Sequence, residues 1–83
     1  MILSFGYKNG SGRIPHDATV FDVRSLTHTE KDPTFIAKAE EIATYGKLHP
    51  GQAIAIGCEK GKHRSKVLAD KVAQVLRRSV VHL

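Results

Sequence analysis

Cysteine is nearly absent from this chain, and tryptophan is missing altogether. The 83 residues contain one cysteine, Cys58. A single thiol cannot form an internal disulfide, so the fold must rest on packing or on association, and a lone thiol is typical of a reducing, cytoplasmic setting. No apolar run approaches the roughly 20 residues that span a bilayer, and the N-terminus lacks a signal-peptide pattern. We therefore expect a cytoplasmic protein with no membrane partner.

Acidic residues are also scarce relative to basic ones. Thirteen Lys and Arg residues against eight Asp and Glu give a formal net charge of +5. This excess favours anionic partners, from phosphorylated small molecules to RNA. The densest basic cluster runs from Lys60 to Lys66. With no internal repeat and no long linker, residues 1–83 are predicted to form one small domain, which could gain stability from homo-oligomer formation.

Apolar periodicity and turn-forming residues predict four strands and two main helices. The predicted strands are Ile2–Tyr7, Ala18–Val23, Gln52–Gly57 and Ser79–Leu83. The first helix is predicted to begin with Asp32 as N-cap and Pro33 at its first position, and to end at Gly46. Its predicted apolar stripe is Phe35, Ile36, Ala39, Ile42 and Ala43. The second helix follows Gly61, with a predicted buried stripe of Val67, Leu68, Val72, Val75 and Leu76.

The resulting order, β-β-α-β-α-β, predicts an α/β fold with a small, mostly parallel sheet of about four strands. Ligands of such sheets bind at the carboxyl ends of the strands. Three segments are expected to converge there: the run from Gly6 to Lys8, the run from Asp22 to Arg24, and the run from Cys58 to Ser65.

The connection between the third strand and the second helix is the most informative segment. A helix start offers unpaired N–H groups and a positive dipole end, which together favour an oxyanion. A guanidinium there is unfavourable unless an anion offsets it, so Arg64 is predicted to be a main ligand. The predicted phosphate-binding residues are Cys58, Glu59, Lys60, Gly61, Lys62, His63, Arg64 and Ser65, and the predicted pocket wall is Tyr7, Lys8, Asp22 and Arg24.

Cys58 and Arg64 are separated by five residues, and Ser65 follows. This spacing is typical of cysteine-dependent phosphatases, in which a thiolate attacks phosphorus while backbone N–H groups and an arginine hold the oxygens. Under that hypothesis Cys58 is the nucleophile, and either Asp22 or His63 supplies the proton to the leaving group. Gly57, however, stands where tyrosine phosphatases usually carry a histidine. The alternative is that Cys58 is packed at a strand end and that Asp22 forms a salt bridge with Arg24 or Arg64.

Other cofactor chemistry is not indicated by the sequence. Around His63 no further His, Asp or Glu stands at metal-ligand spacing, so no metal site is predicted. The Walker A pattern is absent as well. We expect no cofactor.

Three segments, in this order along the chain, resemble the C-terminal domain of the RapZ family of RNase adapter proteins: Ser4-Phe5-Gly6-Tyr7-Lys8, Phe21-Asp22-Val23-Arg24, and Gly57-Cys58 through Gly61 to His63-Arg64-Ser65. The resemblance covers nearly the whole chain and implies a shortened, stand-alone version of that domain over residues 1–83. In that family the domain senses glucosamine-6-phosphate and binds small regulatory RNA. The resemblance implies a phosphate pocket formed by the loop from Cys58 to Ser65, chiefly by Gly61, His63 and Arg64, with Asp22 and Arg24 nearby.

Three hypotheses on function follow. The leading one is a regulatory, non-enzymatic module that binds a phosphorylated small molecule of the sugar phosphate class, or phosphate or sulfate itself. The second is a cysteine-dependent phosphatase that uses Cys58 and Arg64. The third is RNA binding through the basic surface, which would weaken steeply with salt.

Overall fold

Four parallel strands form one sheet in the computed structural model of the chain, which describes residues 1–8, 11–26, 32–59 and 64–83. The elements are β1 (Ile2–Gly6), a 3-10 turn (Ser11–Arg13), β2 (Thr19–Asp22), α1 (Pro33–Leu48), β3 (Ile54–Cys58), α2 (Arg64–Leu76) and β4 (Val80–His82). The predicted order and the predicted small α/β fold are confirmed, and the sheet is parallel throughout. Neither of the described α-helices is long and apolar enough to cross a membrane.

The strand order is β2-β3-β1-β4, so the first strand of the chain lies in the middle of the sheet. β1 pairs with β3 from Ile2↔Ile54 to Gly6↔Cys58. The connections β2–α1–β3 and β3–α2–β4 run across the sheet in the same direction. Right-handed crossovers in one direction place their helices on the same face. α1 and α2 therefore form one layer against the sheet.

The two faces of the sheet are covered differently. On the helical face, Ile2, Ile54 and Ile56 pack against buried side chains of both helices, such as Ile42 and Leu68. On the other face, the smaller cluster of Leu3, Phe5 and Ala55 is covered by Tyr7, Ile14, Ala18 and Leu83. The chain that follows β1 thus lies on the face opposite to α2.

α1 begins as predicted but does not end where predicted. Asp32 is the N-cap and accepts a hydrogen bond from the backbone N–H of Thr34 at 2.8 Å. The predicted stop at Gly46 is wrong, because the helix continues to Leu48. Gly46 is buried, and a Cβ at this position would press on the Leu76 side chain and lie 3.3 Å from Ile54 Cδ1. This glycine permits close packing between elements rather than ending the helix.

The predicted apolar stripes of both helices are only partly buried. Leu68 and Val72 of α2 are fully buried, as predicted, but Val67 and Val75 are exposed. Ile36 of α1 is exposed as well, although Phe35 beside it is buried. The periodicity identified the correct helices and overestimated the width of their buried faces, because the sheet covers only one side of each helix.

Candidate functional site

The carboxyl ends of β1 and β3 lie side by side, and the chain leaves them toward opposite faces of the sheet. The segment after β1 covers the Leu3 and Phe5 face, whereas α2, which follows β3, packs on the helical face. Such a point, at which neighbouring parallel strands send their connections to opposite faces, is where open α/β sheets bind ligands. The candidate site is defined by the residues that follow β1, β2 and β3 and by the first turn of α2.

Two backbone hydrogen bonds join the residues just after β1 to the end of β3 and the residue that follows it. The N–H of Tyr7 donates to the carbonyl of Cys58 at 2.9 Å, and the N–H of Lys8 donates to the carbonyl of Glu59 at 3.1 Å. The side chains of Lys8 and Glu59 form an ion pair at 3.3 Å. The structure therefore brings these predicted wall and loop residues together, and it gives the Lys8 ammonium an internal carboxylate partner.

Asp22 and Arg24, both predicted wall residues, form a tight ion pair at the end of β2. The carboxylate of Asp22 accepts from Arg24 Nη2 at 2.8 Å, from Nε at 3.1 Å and from the Arg24 backbone N–H at 2.9 Å. These hydrogen bonds hold the pKa of Asp22 below its usual value and raise the pKa of Arg24. Asp22 is therefore ionised near neutral pH. A general acid must carry a proton, so this geometry favours the salt-bridge interpretation over the catalytic one.

The guanidinium of Arg24 also lies over the ring of Tyr7, with Cζ 4.0 Å from the ring centroid. The Tyr7 ring in turn meets Phe5 edge-on, with centroids 4.9 Å apart. Burial raises the pKa of the Tyr7 phenol, the carboxylate of Asp22 adds to the rise, and Arg24 opposes it. The loops after β1 and β2 are thus joined by a cation–π contact, which the sequence alone did not indicate.

Arg64 opens α2 and reaches across to the segment that follows β2. Its Nη1 donates to the carbonyl of Arg24 at 3.0 Å and to the carbonyl of Leu26. Within the described residues, all its hydrogen bonds run through this one nitrogen. Carbonyl groups accept these bonds without neutralising the guanidinium. Arg64 therefore holds two segments of the site together through neutral acceptors.

Cys58 ends β3 and is 2% exposed, and Ser65 in the first turn of α2 is fully buried. The Cys58 thiol donates to Ser65 Oγ across 3.3 Å. This contact joins the last residue of the strand to the start of the helix. The hydroxyl could equally donate to a thiolate, because its hydrogen can rotate.

The remaining predicted phosphate-binding residues, Lys60, Gly61, Lys62 and His63, lie outside the described residues.

One hydrogen-bonded chain was not predicted and lies away from this site. Ser4 Oγ of β1 bonds to Nδ1 of His82 in β4, and His82 Nε2 bonds to Asp70 Oδ1 of α2 at 2.9 Å. Although serine, histidine and aspartate suggest a catalytic triad, Ser4 is fully buried in a central strand. A substrate could not reach its hydroxyl. The hydrogen bonds of Ser4, His82 and Asp70 therefore have a structural role and link β1, β4 and α2. Ser4 does not line the candidate site.

No protein-family model matches this chain. Among the residues that the structure describes, no group of three His, Cys, Asp or Glu side chains is placed to hold a metal ion.

Proposed function

We propose that this protein is a regulatory module that binds the phosphate group of a small molecule at the carboxyl ends of its strands. The observation that carries the proposal is the position of Arg64. The residue stands in the first turn of α2, at the point where β1 and β3 send their connections to opposite faces, and it contacts the loop after β2. The helix start and the guanidinium both favour an anion at this position.

The charges around the site support the same conclusion. Lys8, Arg24 and Arg64 approach it from three different segments, and the first turn of α2 contains no acidic residue. Asp22 and Glu59 compensate Arg24 and Lys8, so Arg64 is the cation of this group whose charge has no carboxylate partner among the described residues. Lys60 and Lys62 add two positive charges in the sequence between Glu59 and Arg64.

The class of ligand follows from the resemblance to the RapZ C-terminal domain. We propose a sugar phosphate, with RNA or a protein partner as a second ligand in the regulatory role, and a cytoplasmic location. The net charge of +5 supports an anionic ligand.

A thermal-shift and calorimetric titration with phosphate, sulfate and a panel of sugar phosphates, including glucosamine-6-phosphate, tests this proposal. Binding to the folded state raises its stability by RT ln(1 + [L]/Kd). We expect saturable stabilisation by at least one of these anions. Arg64→Ala should weaken that binding about tenfold to a hundredfold, because a charge-assisted hydrogen bond contributes about 1.5–3 kcal/mol.

Arg78→Ala is the matched control. Arg78 likewise donates to backbone carbonyls, those of Gly46 at 2.7 Å and Gln52 at 3.2 Å, but it lies after α2 rather than at its start. Both variants lose stability in the absence of anion, and only Arg64→Ala should lose the response to anion. Equal responses of the two variants, or no response of the parent to any anion, would contradict the proposal.

Cysteine-dependent phosphatase activity is a second candidate. The contact between Cys58 and Ser65 favours it, whereas the burial of the thiol, which is 2% exposed, opposes it. In the reaction, the Cys58 thiol first loses its proton to water. Its Sγ then bonds to phosphorus as the bond from phosphorus to the leaving oxygen breaks, and that oxygen takes up a proton from water. Water then hydrolyses the phosphocysteine and releases phosphate. A hydroxyl that donates to the sulfur would stabilise the thiolate before attack and as it leaves. The ionised state of Asp22 leaves this residue unsuited to supply the proton.

Hydrolysis of p-nitrophenyl phosphate distinguishes the two candidates. A phosphatase loses all activity in Cys58→Ser and part of it in Ser65→Ala. A binding module releases no p-nitrophenol, and Cys58→Ser leaves its anion affinity almost unchanged. Hydrolysis that persists in Cys58→Ser would exclude Cys58 as the nucleophile.

A further inference from the structure

α1 and α2 leave a groove between them on the outer surface of the helical layer, away from the candidate site. This interhelical groove has a volume of about 560 Å³ and is bounded by one side of each helix. Ala39, Ala43 and Val72 form its floor, and Ile36 and Val75 stand at its edges. A second depression of about 330 Å³ shares Lys47 and Val75 with it and extends toward Pro50 and Arg77.

The apolar lining of the groove is only partly used by the fold. Val72 is fully buried, whereas Ile36 and Val75 are 41% and 48% exposed. The two alanines are small and lie one helical turn apart, which allows a third helix to approach the floor closely. Amphipathic helices bind such grooves by inserting side chains at positions i, i+3, i+4 and i+7.

The charges of the groove indicate what kind of helix would fit. Lys47, Lys71 and Arg77 border it and its extension, against the single carboxylate of Glu40. A second copy of the chain would bring an equal excess of cations and a net charge of +5 to the contact. An occupant with acidic side chains on its flanks would complement this border instead. We propose that the interhelical groove binds an acidic amphipathic helix of a partner protein.

The probe for the experiment is a fluorescein-labelled synthetic helix of about 18 residues, or five turns. It carries leucine at the spacing given above and glutamate on both flanks. Two matched peptides accompany it, one with lysine in place of every glutamate and one with the same composition in scrambled order. Fluorescence anisotropy should show saturable binding of the glutamate helix and at least about tenfold weaker binding of the other two.

Three variants locate the binding. Val75→Glu places a like charge at the apolar edge and should weaken binding of the glutamate helix about tenfold or more. Lys71→Glu should weaken it about threefold to tenfold. Arg13→Glu makes the same change in net charge as Lys71→Glu, but on the exposed 3-10 turn. Ile14, next to that turn, packs on the opposite face of the sheet, so Arg13→Glu should leave the affinity unchanged. Because the side chains of Arg13, Lys71 and Val75 are all exposed, the three variants should fold, and circular dichroism checks that they do.

The proposal fails if the three peptides bind equally or not at all, or if Val75→Glu binds like the parent. It is also overturned if sedimentation shows a dimer of the parent that Val75→Glu dissociates, since the groove would then accept a second copy. If Arg13→Glu weakens binding as much as Lys71→Glu, the attraction is a property of the net charge and the groove is not the site.

Discussion

Replacement of Gly57 by alanine tests the packing of the Phe5 ring against the strand residue that precedes Cys58. Gly57 pairs with Phe5 in the register of β3 and β1, and the Phe5 ring lies over it. A Cβ at position 57 would lie 2.6 and 2.7 Å from the two Cε atoms of that ring. Contacts between carbon atoms are optimal near 3.5–4.0 Å, so the ring would have to move by about 1 Å.

The ring has little room to move. Phe5 is fully buried and meets the Tyr7 ring edge-on. Overpacking of this kind destabilises the fold by about 1–3 kcal/mol. A glycine-to-alanine change in a strand offsets roughly 0.5–1 kcal/mol of this, because alanine loses less backbone entropy on folding. We therefore expect Gly57→Ala to lower the free energy of unfolding by about 1–2 kcal/mol. For a domain of this size the melting temperature would fall by roughly 5–15 °C.

Urea unfolding of a double-mutant cycle measures the effect and its cause. Phe5→Leu removes the outer ring atoms and creates a cavity, and it is itself destabilising. Combined with Gly57→Ala, it should cost less than the sum of the two changes, with a coupling of about 0.5–3 kcal/mol. If Gly57→Ala is as stable as the parent, or if the two effects simply add, the Phe5 ring does not exclude a side chain at position 57.

Two further predictions concern other parts of the chain. Arg77, just after α2, has a left-handed φ of 55°, and the N–H of Arg78 closes the helix end by donating to the Ala73 carbonyl at 3.0 Å. Arg77→Gly should therefore raise the free energy of unfolding by about 0.5–1 kcal/mol in urea denaturation, and unchanged or lower stability would contradict this account. The pKa of Asp22 is lowered from 3.8 in the folded state, so its contribution to stability is present above that pH and is lost as the pH falls through the folded-state pKa. The urea concentration at the unfolding midpoint should therefore fall less steeply for Asp22→Asn than for the parent as the pH is lowered from about 5 to about 2. The same pH dependence in both proteins would show that this ion pair does not affect stability.

The fold could be predicted from the sequence because its signals are local. Every helix start leaves backbone N–H groups unpaired. At the start of α1, the Asp32 side chain accepts a hydrogen bond from one of these groups, and Pro33 has no N–H that would need a partner. Strand–helix–strand units then restrict the chain to right-handed parallel crossovers. The end of α1 could not be predicted in this way. Gly46 has the residue type of a helix terminator, and only its contact with Leu76, thirty positions later, shows that it is a packing residue.

The candidate site was predictable in its location and not in its contacts. The carboxyl ends of parallel strands meet at one edge, so the gathering of Tyr7, Asp22 and Arg24 follows from the order of elements. What each side chain bonds to depends on side-chain rotamers and on neighbours distant in sequence. Arg64 was expected to hold an anion, and it bonds to the carbonyls of Arg24 and Leu26.

The ion pairs and the carbonyl contacts of Arg64 explain how several cations are accommodated at one edge of the sheet. Unpaired like charges held close together would repel each other, and here two of the described cations are each matched by one carboxylate, Asp22 for Arg24 and Glu59 for Lys8. Arg64 is held by neutral carbonyl groups, so its position is fixed and its charge is not cancelled. Under the proposed function, a phosphate would have to displace a carboxylate to reach Arg24 or Lys8, but it would meet no such competitor at Arg64 among the described residues. The attraction for an anion should therefore depend more on Arg64 than on the other two cations.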